Sequence, residues 1–172
     1  MTITTKQSND LIKSGSAGIN DFDFAIGCWK VTHRRRHNLL DSNSPWVEFS
    51  AESTTRKILG GYGNIEDNLL HFPDASFRAA AIRSFNPNSN LWSIWWLDGR
   101  FADQISVPVV GFFQNHIGLF YAEELLGGRL TKVRFRWDAT TPDKPKWEQA
   151  FSVDDGETWD INWLMSFTQN NK

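Results

Sequence analysis

The sequence predicts an all-β protein, an antiparallel up-and-down β-barrel of about ten strands. Three observations lead there. Clusters of Gly, Pro, Asn and Asp recur roughly every ten residues and mark turns. The segments between them alternate with a period of two, and none sustains a helical period. Aromatic content is high, with nine Trp and thirteen Phe against two Tyr, and large aromatic side chains suit the pleated surface of a sheet. A meander of this many hairpin-linked strands closes on itself, because closure removes exposed edges.

Residues 1–19 are polar, rich in Ser and Thr and without period. They are expected to form a disordered or loosely docked tail, with one barrel domain over residues 20–172. Asn20 or Asp21 can cap a short turn before Gly27. Cys28 to Asn38 reads as a strand with Trp29, Val31, His33, Arg35 and His37 on one face. Trp46 to Ile58 is the next strand, and Leu59-Gly60-Gly61-Tyr62-Gly63 is a glycine-rich corner. A short strand, Asn64 to Asn68, follows. Phe77 to Phe85 has alanines that suit a helix, but Asn86-Pro87-Asn88-Ser89-Asn90 and the L-W-S-I-W-W beyond it favour a hairpin. Val107 to Gln114 and Ile117 to Leu126 flank a turn at Asn115-His116. Gly127-Gly128 is a two-residue hairpin turn leading into Arg129 to Asp138.

The last hairpin, Trp147 to Phe167, carries three of the nine tryptophans. Within it Ser152, Asp154, Gly156, Thr158 and Trp159 spell S-x-D-x-G-x-T-W, which resembles the Asp-box turn of sialidase propellers. Ser and Asp side chains cap turn amides, and Gly156 supplies a positive φ. The motif occurs once and no internal repeat accompanies it, which argues against a propeller. It predicts a register-setting turn, not sialidase chemistry.

F-D-F-A-I-G-C-W-K-V near the start, the L-G-G-Y-G-N corner, F-N-P-N-S-N-L-W-S-I-W-W in the middle, and R-F-R-W with W-E-Q-A-F-S-V-D-D-G-E-T-W-D-I-N-W at the end carry a family resemblance. Over residues 21–168 the chain resembles a family of uncharacterised bacterial proteins with a lipocalin-like (calycin) barrel. The resemblance implies a lumen able to hold a small ligand and assigns no activity to particular residues.

Composition narrows the function classes. The net charge of −2 carries no basic excess, so no nucleic-acid partner is expected. The His33-Arg34-Arg35-Arg36-His37 run splits its charges between two faces of a strand. The single cysteine, Cys28, excludes an internal disulfide and fits a reducing compartment. It reads as a buried, inert thiol. There is no apolar leader and no run near the roughly 18 residues of a membrane helix, so a cytoplasmic protein without membrane contact is expected.

The direction of the aromatic face decides the site. If it points inward, Arg134, Arg136, Glu148 and Asp160 form an outer charge ladder. Trp147, Gln149, Trp159 and Trp163 then face the lumen together. Polar groups sharing that face, namely His33, Arg35, Arg83, Tyr121, Glu123 and Gln149, become ligand-binding candidates in an aromatic cavity. Trp95, Trp147 and Trp163 could stack on a flat ring, and an arginine could pair with a ligand carboxylate or phenolate. The bland alternative makes Arg83–Glu123 or Arg35–Glu123 internal ion pairs. The reverse orientation puts Arg134, Arg136, Glu148 and Asn162 inside, with a homodimer partner covering the aromatic face.

No cofactor is expected, and no metal-ligand spacing appears. His33 and His37 lie about 13 Å apart on an extended strand, and His71 and His116 fall in loops. A lone lumen histidine such as His33 keeps haem ligation as a minor reading. Asp154-Asp155 and Glu66-Asp67 read as turn residues, not paired catalytic carboxylates. The leading expectation is binding of a small apolar or aromatic, anionic ligand in the lumen. The alternative is an isomerase, cyclase or lyase in the same lumen, with Glu123 or His33 as general acid or base.

Overall fold

Alternating patterning between short turns produces ten strands in the computed structural model, which describes residues 18–170. They are β1 (Gly27–Arg36), β2 (Trp46–Ile58), β3 (Gly63–His71), β4 (Ser76–Asn86), β5 (Leu91–Asp98), β6 (Val109–Gln114), β7 (Ile117–Leu126), β8 (Arg129–Asp138), β9 (Lys146–Ser152) and β10 (Asp160–Gln169). Each pairs antiparallel with its neighbours in sequence, and β1 also pairs with β10, from Trp29 opposite Gln169 to Arg35 opposite Trp163. The barrel is therefore closed and has no free edge. Among the described residues no helix is long and apolar enough to cross a membrane.

The turns follow from their residues. Asn115 and His116 have φ of 51° and 65°, and Gly127 and Gly128 of 56° and 80°, the left-handed pairs that tight hairpins require. In the S-V-D-D-G-E-T-W turn the Ser152 hydroxyl accepts from the Gly156 amide at 2.8 Å. Asp154 accepts from the Thr158 amide at 2.9 Å and from its hydroxyl at 2.5 Å. Those bonds, the Thr158 hydroxyl first, hold the Asp154 carboxyl at about 2. This turn is local structure throughout.

One irregularity changes the face reading. Ala150 pairs with Ile161 and Gln149 with Trp163, so Asn162 is an extra residue in β10. Such a bulge shifts the alternation by one. Trp163, Met165 and Phe167 face inward, whereas Trp159 lies outside, its ring 5.9 Å from Tyr121 and 4.7 Å from the Arg134 guanidinium. The expectation that Trp159 shares a face with Trp147 and Trp163 is thus corrected. Arg134 and Glu148 do meet on the outer surface, at 3.3 Å. Cys28 is also outside and exposed, not buried, with Sγ 3.7 Å from the Thr54 hydroxyl.

One end of the barrel is filled. The chain before β1 makes a 3-10 turn at Asp23–Ala25 and drives Phe22 into the barrel. Its ring is 5.0 Å from Trp92, 4.9 Å from Phe113 and 6.0 Å from Trp137, all edge-on. Gly18 and Ile19 are docked already: the Trp92 indole donates to the Gly18 carbonyl at 3.3 Å, and Ile19 packs on the core. The rest of the expected tail, residues 1–17, lies outside the described residues. Truncating a 1 % exposed aromatic anchor opens a cavity among rings that cannot collapse. Phe22→Ala is therefore expected to destabilise the fold by about 3–5 kcal/mol in urea unfolding.

Candidate functional site

The other end of the barrel is hollow. Side chains inside it enclose a cavity of about 280 Å³. Leu39 from the β1–β2 loop, Phe72 from the β3–β4 loop, Arg100 from the β5–β6 loop and Leu126 at the tip of β7 all line it. The cavity therefore opens between these loops, opposite Phe22. Trp96, Trp147, Trp163, Phe72, Phe77 and Phe135 supply most of its aromatic wall.

Trp163 is the hub. Its ring meets Trp147 edge-on at 5.7 Å and Trp96 at 6.0 Å. The Arg35 guanidinium lies over it at 5.2 Å. Its indole N–H donates to Nδ1 of His33 at 3.0 Å. That bond makes Nδ1 the acceptor, so neutral His33 carries its proton on Nε2. His33 is 2 % exposed, its ring is stacked on Phe49 at 4.6 Å, and Nε2 has no hydrogen-bond partner among the described residues. Burial lowers it from the ordinary 6.5 to about 3. His33 thus stands behind Trp163 as a neutral brace and is not among the cavity-lining residues.

The bulge builds a second brace. Asn162 is fully buried; its oxygen accepts from the Gln149 amide at 2.9 Å, and its own amide donates to the Leu39 carbonyl at 3.1 Å. One side chain thereby ties the cavity wall to the loop at the mouth.

The floor is polar. Arg83 is 2 % exposed and donates to Asn64 at 2.8 Å and to the Glu66 carboxylate. Its guanidinium also lies 5.0 Å from Phe22 and 5.4 Å from Trp137, joining the floor to the plug. The buried partner of Arg83 is therefore Glu66 and not Glu123. Glu66 and Asp67 sit within β3 and not in a turn: Glu66 points in, while Asp67 pairs outside with Arg78 at 3.3 Å.

Of the residues picked out from sequence, Arg35, Arg83, Trp95, Trp147, Gln149 and Trp163 all border the cavity. Tyr121 and Glu123 do not. Phe120, fully buried, takes the inward phase of β7, so Tyr121 is exposed and Glu123 shares its outer face. The inward carboxyl of β7 is Glu124, which burial raises above the usual carboxylate range. Sequence reading also missed Trp96, Asp98 and Arg100, all of which line the cavity. Trp96 carried a signal, since it shares the phase of Trp92 and Ile94. Asp98 ends β5 in that same phase, whereas Arg100 carried none, being placed by the 3-10 turn at Gly99–Phe101. Among the described residues no three His, Cys, Asp or Glu side chains converge as a metal site would require.

The burial of neutral His33 links stability to pH. Its folded value is depressed, so the unfolded chain binds the extra proton between pH 6.5 and about 3. Stability is full above 6.5 and falls as the pH drops through that window, by up to about 1.4 kcal/mol per unit. The unfolding free-energy gap between the wild type and His33→Gln, measured in urea, should therefore shrink on going from neutral pH to pH about 4. A gap that stays constant would mean that His33 takes up no proton on unfolding.

No family model matches the chain, and no curated protein matches it. Solved structures do. The S-type phycobiliprotein lyase CPES from Guillardia theta has a TM-score of 0.59 at 9 % identity, covering 88 % of this chain and 91 % of that one. Rv2717c from M. tuberculosis has a TM-score of 0.59 at 8 % identity, covering 92 % of this chain and 100 % of that one. The chain shares a lipocalin-like barrel fold with both.

Proposed function

We propose that the protein binds a small, largely aromatic or apolar, anionic molecule in the open end of its barrel. The carrying observation is the aromatic cavity around Trp163, with a few polar groups converging on it. That combination is the usual character of a small-molecule site. Its volume, about 280 Å³, is at the low end for ligand pockets, so a ligand of one or two rings fits and a larger one would project from the mouth. Edge-on tryptophans leave ring faces available for offset stacking.

Ala81 lines the cavity from β4, opposite Trp96 in the register. Naphthalene-2-carboxylate should quench tryptophan fluorescence saturably. Ala81→Phe should raise its dissociation constant at least about tenfold, or about 1.4 kcal/mol, with the circular dichroism unchanged. Quenching that ignores this substitution would place binding outside the lumen.

A second reading, an isomerase, cyclase or lyase in the same lumen, has one observation in its favour. Glu124 is a half-buried carboxyl facing the cavity, with no hydrogen bond or ion pair among the described residues. A carboxyl raised in this way suits proton transfer. Glu124 thereby replaces Glu123 and His33 as the candidate acid or base. The Guillardia theta neighbour is named a lyase, which is compatible with this reading. Glu124→Gln should abolish turnover of a co-purified ligand followed by mass spectrometry, while its affinity stays within about tenfold. Retained turnover would remove Glu124 from the chemistry.

A further inference from the structure

We propose that Arg35 and Arg100 form an anion subsite at the cavity mouth that takes the carboxylate of a monoanionic aromatic ligand. The ligand would enter ring first and leave its charged end at the rim. This rests on the lumen-binding function proposed above and adds where the charge sits and how large it is.

Both arginines line the cavity, and the guanidinium of each lies over a ring of the aromatic wall. Arg35 lies 5.2 Å from the Trp163 ring centre and Arg100 3.7 Å from that of Phe77. Among the described residues Asp98 is the one carboxylate bonded to either of them. Both its oxygens are used by Arg100: Oδ1 accepts from the Arg100 amide at 2.9 Å and from Nε at 3.0 Å, and Oδ2 from Nη2 at 2.7 Å.

Arg35 has no such partner. Its Nη1 donates to the carbonyls of Arg36 at 2.9 Å and His37 at 3.3 Å, and its Nε and Nη2 meet no acceptor among the described residues. Main-chain carbonyls satisfy donors but do not neutralise charge. A half-buried cation without a counter-ion is costly unless something compensates it. Burial, and then the nearby Arg100, depress Arg35, with Asp98 acting against them. Glu124 faces the same cavity but forms no ion pair with either arginine. It is raised by burial, not lowered by a cation.

Arg35, Arg100 and Asp98 sum to +1 at the mouth, and Glu124, the other carboxyl on this part of the wall, is shifted towards its neutral form by burial. That balance suits one carboxylate better than a dianionic phosphate. The free Nε–Nη2 edge of Arg35 offers the fork that a carboxylate accepts in bidentate fashion.

Calorimetric titration of the full chain with three naphthalene probes tests this: the 2-carboxylate, the isosteric neutral 2-carboxamide and 2-naphthyl phosphate. The carboxylate should bind at least about tenfold tighter than the carboxamide and tighter than the phosphate. Arg35→Met and Arg100→Met should each cut the carboxylate preference to about threefold or less, leaving carboxamide affinity within about threefold. Arg35→Lys keeps the charge and loses the fork, so it should fall between. Arg100 is half-exposed on its loop, so its variant carries the test even if Arg35→Met does not fold.

Equal binding of carboxylate and carboxamide by the wild type would overturn the anion subsite and leave the lumen site standing. Tighter binding of the phosphate would overturn the monoanion assignment. Binding of none of the three would overturn both the subsite and the lumen function.

Discussion

Phe22 closes one end of the barrel by lying among the rings of Trp92, Phe113, Phe120 and Trp137, with the Arg83 guanidinium on its face. A barrel of this strand number encloses more width than its own side chains fill. The lead-in segment makes up the difference at that end. Because Phe22 comes from outside the strands, it can fill the lumen axis, where no wall residue reaches. The hollow is thereby confined to the opposite end, and the buried Arg83–Glu66 pair becomes the boundary between filled and empty halves. The floor is polar where it touches the cavity and aromatic where it touches the plug.

At the open end the organising residue is Trp163, and its position depends on one extra residue. Without the bulge at Asn162, β10 would carry Trp163 on the opposite face from Trp159 only by breaking its pairing with β9. With it, Trp163 faces in against Trp147, and Trp159 covers Arg134 outside. The inserted residue is used as well: buried Asn162 satisfies Gln149 and anchors the Leu39 carbonyl. Neutral His33 holds the Trp163 indole from behind. The stacking wall is thus positioned by buried hydrogen bonds, which in a low-dielectric interior fix geometry more tightly than apolar packing does. Its ring orientation is preset, so a ligand would spend little binding energy on ordering it.

Much of the fold was legible in the residues because its causes are local. Gly127-Gly128 and Asn115-His116 announce hairpins through left-handed backbone preference. The tryptophans of β8, β9 and β10 and the arginines that alternate with aromatics in β8 announce an inside and an outside. The site was legible wherever alternation runs unbroken, as for Arg35, Arg83, Trp147 and Gln149. Reading failed where phase was ambiguous. In Phe120-Tyr121-Ala122-Glu123-Glu124 an aromatic stands on each parity and two carboxylates are adjacent. Nothing local says which one points in, and a slip of one residue exchanges Glu123 for Glu124. In β3 the expected pattern is inverted: Asn64, Glu66 and Asn68 point inward. A polar inner row looks like a turn until its buried partner, Arg83, is seen across the strand pair.

The sequence by itself determined the strand count, the hairpins, the closure and the aromatic character of the lumen, since these follow from backbone preference, period-two patterning and the cost of an exposed edge. Tertiary structure decided which end is hollow, because that depends on Phe22 packing against rings from β5, β6, β7 and β8. It decided the face of Trp159, because a bulge is a mismatch between two strands and belongs to neither sequence alone. It also decided the charge at the mouth, because Arg35 and Arg100 are brought beside each other only when β1 and the end of β5 meet across the barrel. Local chemistry sets what each segment is, and the sum of long-range contacts sets what it faces.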